Sequence, residues 1–372
     1  MKKFNILLLS FILSFTFSQI PPNYYTGTEG LTGYPLKTKL ATIISDGALD
    51  LGYGQGTGGL WTTFFTSDRD KYYENNDTLL DMYSEKPLGV DSYEYKLGRA
   101  VDGGNQCGNG NNFEGTCYNR EHSLPKSYYG GIDATPMSND AHFIIPSDYF
   151  VNNQRSNYPY GEAANASWTS SNGSKLGQCT FPGYTGTIFE PINEFKGDFA
   201  RMHLYFITRY ESKLIGFREY QTFQNPLDGS VDQGYKQWYI NLLLKWANQD
   251  PVSQKEIDRN NAIYARQKNR NPFIDHPEWV NMIWTSTLST DQVSAFDKKI
   301  TIYPNPVRNG EIHLSGFGLN EVKKIEIYSL EGKLIQSVSF NLKSSSKIVL
   351  KNREKGGYIL KTENQSTKFI VE

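Results

Sequence analysis

The chain is poor in the residues that most metal and redox sites need. Only three cysteines and five histidines occur in 372 residues. Cys107, Cys117 and Cys179 form no CxxC pair, which argues against a structural zinc knuckle. There is no HExxH helix, so a zinc hydrolase using His122, His142 and His203 has little support. Long apolar runs are scarce too. The one from Phe4 to Phe17 is shorter than the roughly 20 residues a spanning helix needs, and no later run is longer. A basic excess is also missing. Net charge is −1, and residues 20–298 hold 24 Lys+Arg against 32 Asp+Glu, giving −8. That balance excludes general adhesion to nucleic acid, so phosphate binding would need a local positive cleft or a bound cation. Residues 299–372 reverse the sign, with 12 against 7, giving +5.

What is present points to an exported, folded protein. Aromatics at 14% and hydrophobic residues at 38% suffice for a core and exclude disorder, and the length favours two domains. Lys2 and Lys3, the apolar run and small Ser18 read as a signal peptide over residues 1–18. In an oxidising compartment Cys107 and Cys117, which bracket a Gly- and Asn-rich loop, could close as a disulfide, leaving Cys179 over.

Periodicity predicts an α+β chain. Helical potential covers residues 36–44, and a clear helix runs through "EFKGDFARMHLYFITRYESKL". There Phe199, Met202, Phe206 and Tyr210 mark an apolar stripe, with His203 beside it as a packed or surface residue. A helix near 235–248 must stop at Asp250-Pro251, Ser253 and Glu256 form a capping box for the next, and Pro277 suits a further first turn. Beyond residue 288, alternating apolar and polar residues with turns at Pro304-Asn305-Pro306, Asn309-Gly310 and Glu331-Gly332 predict a small all-β sandwich.

The chemistry centres on Arg120-Glu121-His122. Taken alone, such a triplet is more often a solvated surface. Downstream, however, "VNNQRSNYPYGE" supplies Asn152 and Arg155. Glu121 and Asn152 are hard oxygen ligands of the kind Mg²⁺ accepts. A histidine with an ordinary pKa near 6.5 can take a proton from water, and an arginine fork can grip a phosphate. Neighbours in a regular strand face opposite ways, so Glu121 and His122 can address one phosphate only if the chain bends, and Pro125 suits a bend.

"CYNREHSLPKS", "NDAHFIIPSDYFVNNQRSNYPYGE", "FEPINEFKGDFARMHLYFITRY" and "NRNPFIDHPEW" occur in this order and cover most of residues 81–279. Together they resemble the bacterial endonuclease I family of His-Me finger (ββα-metal) nucleases. The resemblance implies a nuclease domain at 19–288, with His122 as general base and Glu121 and Asn152 as ligands of Mg²⁺, for which Mn²⁺ or Ca²⁺ could stand in. Arg155 lies in the same motif and is read as the catalytic phosphate clamp. No arginine lies between His122 and Arg155, where some relatives carry one, so Lys126 is the alternative clamp. Asp140 and His142 match a supporting segment. The implied activity is hydrolysis of DNA and/or RNA with little sequence preference, giving 5′-phosphates, by a monomer.

"YPNPV", "IYSLEGKLI" and "GGYILK" resemble a type A C-terminal sorting domain of type IX secretion at 299–372, joined by a linker at 289–298. This implies a secreted or surface location and the type IX machinery as partner. The competing class is a secreted adhesin or carbohydrate-binding protein with a degenerate nuclease domain.

Overall fold

The computed structural model describes residues 20–54, 58–110, 112–285, 301–315, 322–339, 347–351, 354–362 and 366–372. The expected signal peptide and linker lie outside them. Helices α1 (Gly33–Ser45) and α2 (Gly59–Ser67) come first. Strands β1 (Tyr118–His122) and β2 (Ile144–Asp148) then form an antiparallel pair, followed at once by α3 (Tyr149–Arg155). A second antiparallel sheet contains β3 (Ala163–Thr169), β4 (Lys175–Cys179) and β5 (Thr187–Glu190) in that order. Helices α4 (Lys196–Arg209), α5 (Gln237–Gln249), α6 (Gln254–Gln267), the single turn α7 (Pro272–Asp275) and α8 (Glu278–Trp284) complete the larger region.

The expected helices are present, with their ends where local chemistry sets them. The α5 helix stops one residue short of Asp250-Pro251, because a residue before proline is driven out of the helical region. Ser253 and Glu256 form the capping box of α6: the Ser253 hydroxyl accepts from Glu256 N at 3.3 Å, and the Glu256 carboxylate accepts from Ser253 N at 2.9 Å. Pro277 stands just before α8 rather than inside its first turn.

The α4 helix differs from a one-sided amphipath. Phe199, Met202, Phe206 and Tyr210 are buried as expected, but so is every other residue from Gly197 to Arg209. Its charged groups tolerate this because each finds a partner. Arg201 donates to Glu256 at 2.6 and 2.8 Å, Arg209 to Asp140 at 2.6 Å, and Lys255 pairs with Asp198. Helix α4 is thus the axis of the core, and truncating a residue such as Phe206 to alanine would cost about 3–5 kcal/mol.

Cys107 and Cys117 are joined in a disulfide, which pins the loop leading into β1, and Cys179 is a free thiol.

The tail contains β6 (Thr301–Tyr303), β7 (Glu311–Ser315), β8 (Lys324–Ser329), β9 (Leu334–Ser339), β10 (Lys347–Val349), β11 (Gly356–Lys361) and β12 (Ser366–Val371). They form two antiparallel sheets, ordered β10-β7-β6 and β12-β11-β8-β9. Ile302, Ile312 and Leu314 from one sheet and Ile327, Leu360 and Phe369 from the other bury one core, separate from the larger one. Between the two cores, Tyr303 packs on Val252 and Ile274.

Candidate active site

Strands β1 and β2 are in unbroken register, with Glu121 opposite Ile145 and His122 opposite Ile144. The expected bend between Glu121 and His122 is therefore absent, and the chain turns only after His122. Because side chains alternate along a strand, the two residues enter different surroundings. Glu121 meets Tyr83 and Arg155, while the His122 ring meets Tyr53 and the Ser138 carbonyl. Both are buried, since both sides of this short ribbon are covered.

Helix α3 supplies the remaining candidates. Asp148 ends β2 and caps α3, its carboxylate accepting from Val151 N at 2.8 Å, from Gly115 N at 2.9 Å and from the Tyr95 hydroxyl. This sets the helix against β1. Asn152 Nδ2 donates to Asn119 Oδ1 at 2.8 Å, and Arg155 Nη1 donates to the His122 carbonyl at 3.0 Å. The strand–strand–helix unit thus carries Glu121, His122, Asn152 and Arg155 together.

A carbonyl oxygen can only accept, so the 3.2 Å contact between His122 Nε2 and Ser138 O requires the ring proton on Nε2. Nδ1 is left with its lone pair. Burial, then the positive charge of Lys126, pushes His122 down to about 3, well below the ordinary value expected of a general base. The ring is therefore neutral, and it gains basicity only when an anion such as a phosphate stands beside it. The Tyr53 ring stacks on it, 5.8 Å away at 19°.

Glu121 Oε1 accepts from the Tyr83 hydroxyl at 3.1 Å and pairs with Arg155 Nη1 at 3.0 Å. Burial pushes its carboxyl up to about 7, more than Arg155 pulls it down. A carboxylate so placed is suited to a cation. Asn152 fits the same use: its amide nitrogen is committed to Asn119, which leaves its oxygen as the available donor atom. Two hard oxygens of this kind match a hard divalent ion.

Arg155 differs from its expected role. It is 1% exposed, and its terminal nitrogens are engaged with Glu121 and with the carbonyls of His122 and Ser123. These contacts make it an internal brace rather than an open phosphate grip. Lys126 is exposed, in the turn after Pro125, and close enough for its charge to act on both His122 and Glu121.

The other histidines do not converge on the site. His142 Nε2 contacts the Asn269 carbonyl at 3.0 Å, and His203 Nδ1 the Tyr239 hydroxyl at 2.8 Å. No metal-binding group among the described residues contains any of them. Asp140 is a buried hub accepting from Tyr205, Tyr210, Arg209 and Gln267. Sequence reasoning missed Tyr53, Tyr83 and Ser138. Ser138 acts through its backbone, which residue type cannot reveal, and the two tyrosines are among 25 with no distinguishing spacing.

Comparison with known proteins identifies the family. A family model described as Endonuclease I matches residues 32–278, and one described as a secretion system C-terminal sorting domain matches residues 301–372. The extracellular ribonuclease of Bacillus subtilis (strain 168) is 34% identical over 262 residues, covering 70% of this chain and 78% of the relative. The extracellular ribonuclease of Bacillus amyloliquefaciens is 34% identical over the same length, with equal coverage. The protein is a nuclease, secreted or held at the cell surface. Its chain belongs to the endonuclease I family and ends in a sorting domain of type IX secretion. No helix among the described residues is long and apolar enough to cross a membrane.

Proposed function

We propose that this nuclease is a cation-dependent, largely sequence-nonspecific endonuclease that hydrolyses DNA and RNA and leaves 5′-phosphates. In this reading the β1–β2–α3 unit is a His-Me finger. The observation that carries it is the His122–Ser138 contact, which leaves a neutral imidazole with Nδ1 free to accept a proton.

Each residue then has a task. Because Glu121 and His122 face opposite sides of a regular strand, the reading requires the phosphate to sit at the end of β1, where the chain turns after His122 and both side chains can be reached. His122 Nδ1 removes the proton from the attacking water, with its ring held by Ser138 O and Tyr53. Glu121 and Asn152 hold the cation, for which Mg²⁺ is favoured and Mn²⁺ or Ca²⁺ is acceptable. When bound, the cation supplies stabilisation of the charge that develops on the phosphate and the departing 3′ oxygen. Arg155 fixes Glu121 against the His122 carbonyl, as a positioning residue. Lys126 draws the phosphate in. The family supports cation dependence, since its members are generally metal-dependent. The names of the Bacillus relatives favour RNA among the substrates.

The test is digestion of plasmid, single-stranded DNA and RNA with and without EDTA, by the parent protein and by His122→Ala. Cleavage should stop in EDTA, and the folded variant should lose at least about a hundredfold in rate, the scale of a lost general base. Near-normal turnover by that variant removes His122 from the role.

A further inference from the structure

A second group of acidic side chains lies outside this site. The loop from Asp70 to Thr78 is closed at its base, where Asp70 N donates to Thr78 O at 2.9 Å and Asp77 N to Asp70 O at 3.0 Å. Backbone N–H groups of Tyr72, Tyr73 and Asn75 fix the Asp70 carboxylate at 3.0–3.1 Å. One carboxylate oxygen each from Asp70, Glu74 and Glu85 lies within 4.8 Å of the others. Acidic clusters alone are common, but here there is a second observation. Glu85 is only 2% exposed, and its Oε1 is buried with no hydrogen-bond partner. No lysine or arginine among the described residues forms an ion pair with any of the three carboxylates. A buried carboxyl facing like charges without a donor must hold either a proton or a positive partner.

We propose that Asp70, Glu74 and Glu85 hold a divalent cation of the calcium class, in a structural site separate from the one on Glu121. The donors are all oxygens, which disfavours zinc, and all come from protein side chains, whereas Mg²⁺ keeps most of its waters. Two ligands of one Ca²⁺ bonded at about 2.4 Å can stand at most about 4.8 Å apart, and the three oxygens lie within that limit. Without a cation, burial and the neighbouring Asp91, Glu74 and Asp70 push the Glu85 carboxyl up to about 9.

The ion would tie the 70–78 loop to the turn ending at Glu85. Glu85 N donates to Asp81 O at 2.9 Å, and between them lies Tyr83, whose hydroxyl reaches Glu121. The site therefore steadies one wall of the active site without touching substrate.

The test uses the full chain carrying Glu121→Gln, so that the proposed catalytic ligand is removed. Ca²⁺ should raise its melting temperature by roughly 5 °C, as expected for ligand well above its dissociation constant. Tb³⁺ should bind at one ion per chain, with emission excited through Tyr72 and Tyr73, and Ca²⁺ should quench that emission by displacement. Adding Glu85→Gln, or separately Glu74→Gln, should abolish both signals. Glu74 is half-buried, so its substitution keeps the test available if Glu85→Gln does not fold. An unchanged melting temperature in Ca²⁺, or full Tb³⁺ emission from the Glu74→Gln protein, overturns the proposal.

Discussion

At the residue scale, the site divides its cations between an internal and an external task. Arg155 is enclosed with Glu121, and removing one partner of a buried pair leaves an uncompensated charge. Arg155→Ala should therefore destabilise the protein by about 3–5 kcal/mol in urea unfolding. Lys126 is exposed, so Lys126→Ala should leave stability within about 0.5 kcal/mol while lowering kcat/KM at least about tenfold at low salt. Equal activity with and without Lys126 would return the phosphate grip to another residue. Glu121, His122 and Asn152 could be proposed from the sequence because their motifs resemble those of the endonuclease I family; residue type alone left the triplet an ordinary surface. Burial was not legible. An arginine suits a phosphate fork and an internal brace equally well, and only the position of α3 against β1 decides between them.

At the scale of elements, the site depends on Asp148, which ends β2 and opens α3. Its carboxylate satisfies Val151 N, Gly115 N and the Tyr95 hydroxyl, and its own N–H donates to Asp81 at 2.8 Å. Asp148→Ala would strand the buried Val151 N and Tyr95 hydroxyl and remove the partner of Gly115 N, so a loss of about 3 kcal/mol is expected from thermal or urea unfolding. Activity should fall with it, since α3 carries Asn152 and Arg155. A stable, fully active Asp148→Ala protein would show that packing alone seats the helix. Helix ends were readable where proline or a capping box sets them, as at α5 and α6. The central place of α4 was not, because its buried ion pairs come from Asp140, Lys255 and Glu256, distant in the chain, and a periodicity reading treats its polar face as solvated. The bend expected after Glu121 failed for a similar reason: Arg155 bridges Glu121 and the His122 backbone, so the strand can stay regular.

At the scale of the whole molecule, two properties follow from how the parts are enclosed. His142 and His203 are buried neutral, pushed down by burial to about 4 and about 3. Above about pH 6.5 neither folded nor unfolded chain protonates them, and they contribute nothing to pH dependence. Below it only the unfolded chain takes up the protons, so stability falls until the folded values are reached. At pH 5 this amounts to roughly 2 kcal/mol per histidine. It is opposed by Glu121 and Glu85, whose raised carboxyls take up protons in the folded chain first. The histidine part is therefore read as the difference in urea midpoint between the parent and His203→Gln, which should narrow from pH 7 to pH 5. A difference that does not change with pH would contradict neutral burial of His203. The second property concerns the tail. Its core is separate from the larger one, its net charge is opposite, and the residues proposed for catalysis all lie in the larger region. The contact between the cores that involves Tyr303 covers Val252, Ile274 and the partly buried Ile257, with a long 3.5 Å bond from its hydroxyl to Glu278. Removing residues 299–372 exposes little apolar surface there, at a cost of about 1–2 kcal/mol. The shortened enzyme should therefore keep its circular dichroism and its cleavage rate when purified, while its release from the native host stops. A truncated protein that folds and reaches the medium but cannot cut would instead place part of the active site or substrate channel in the tail.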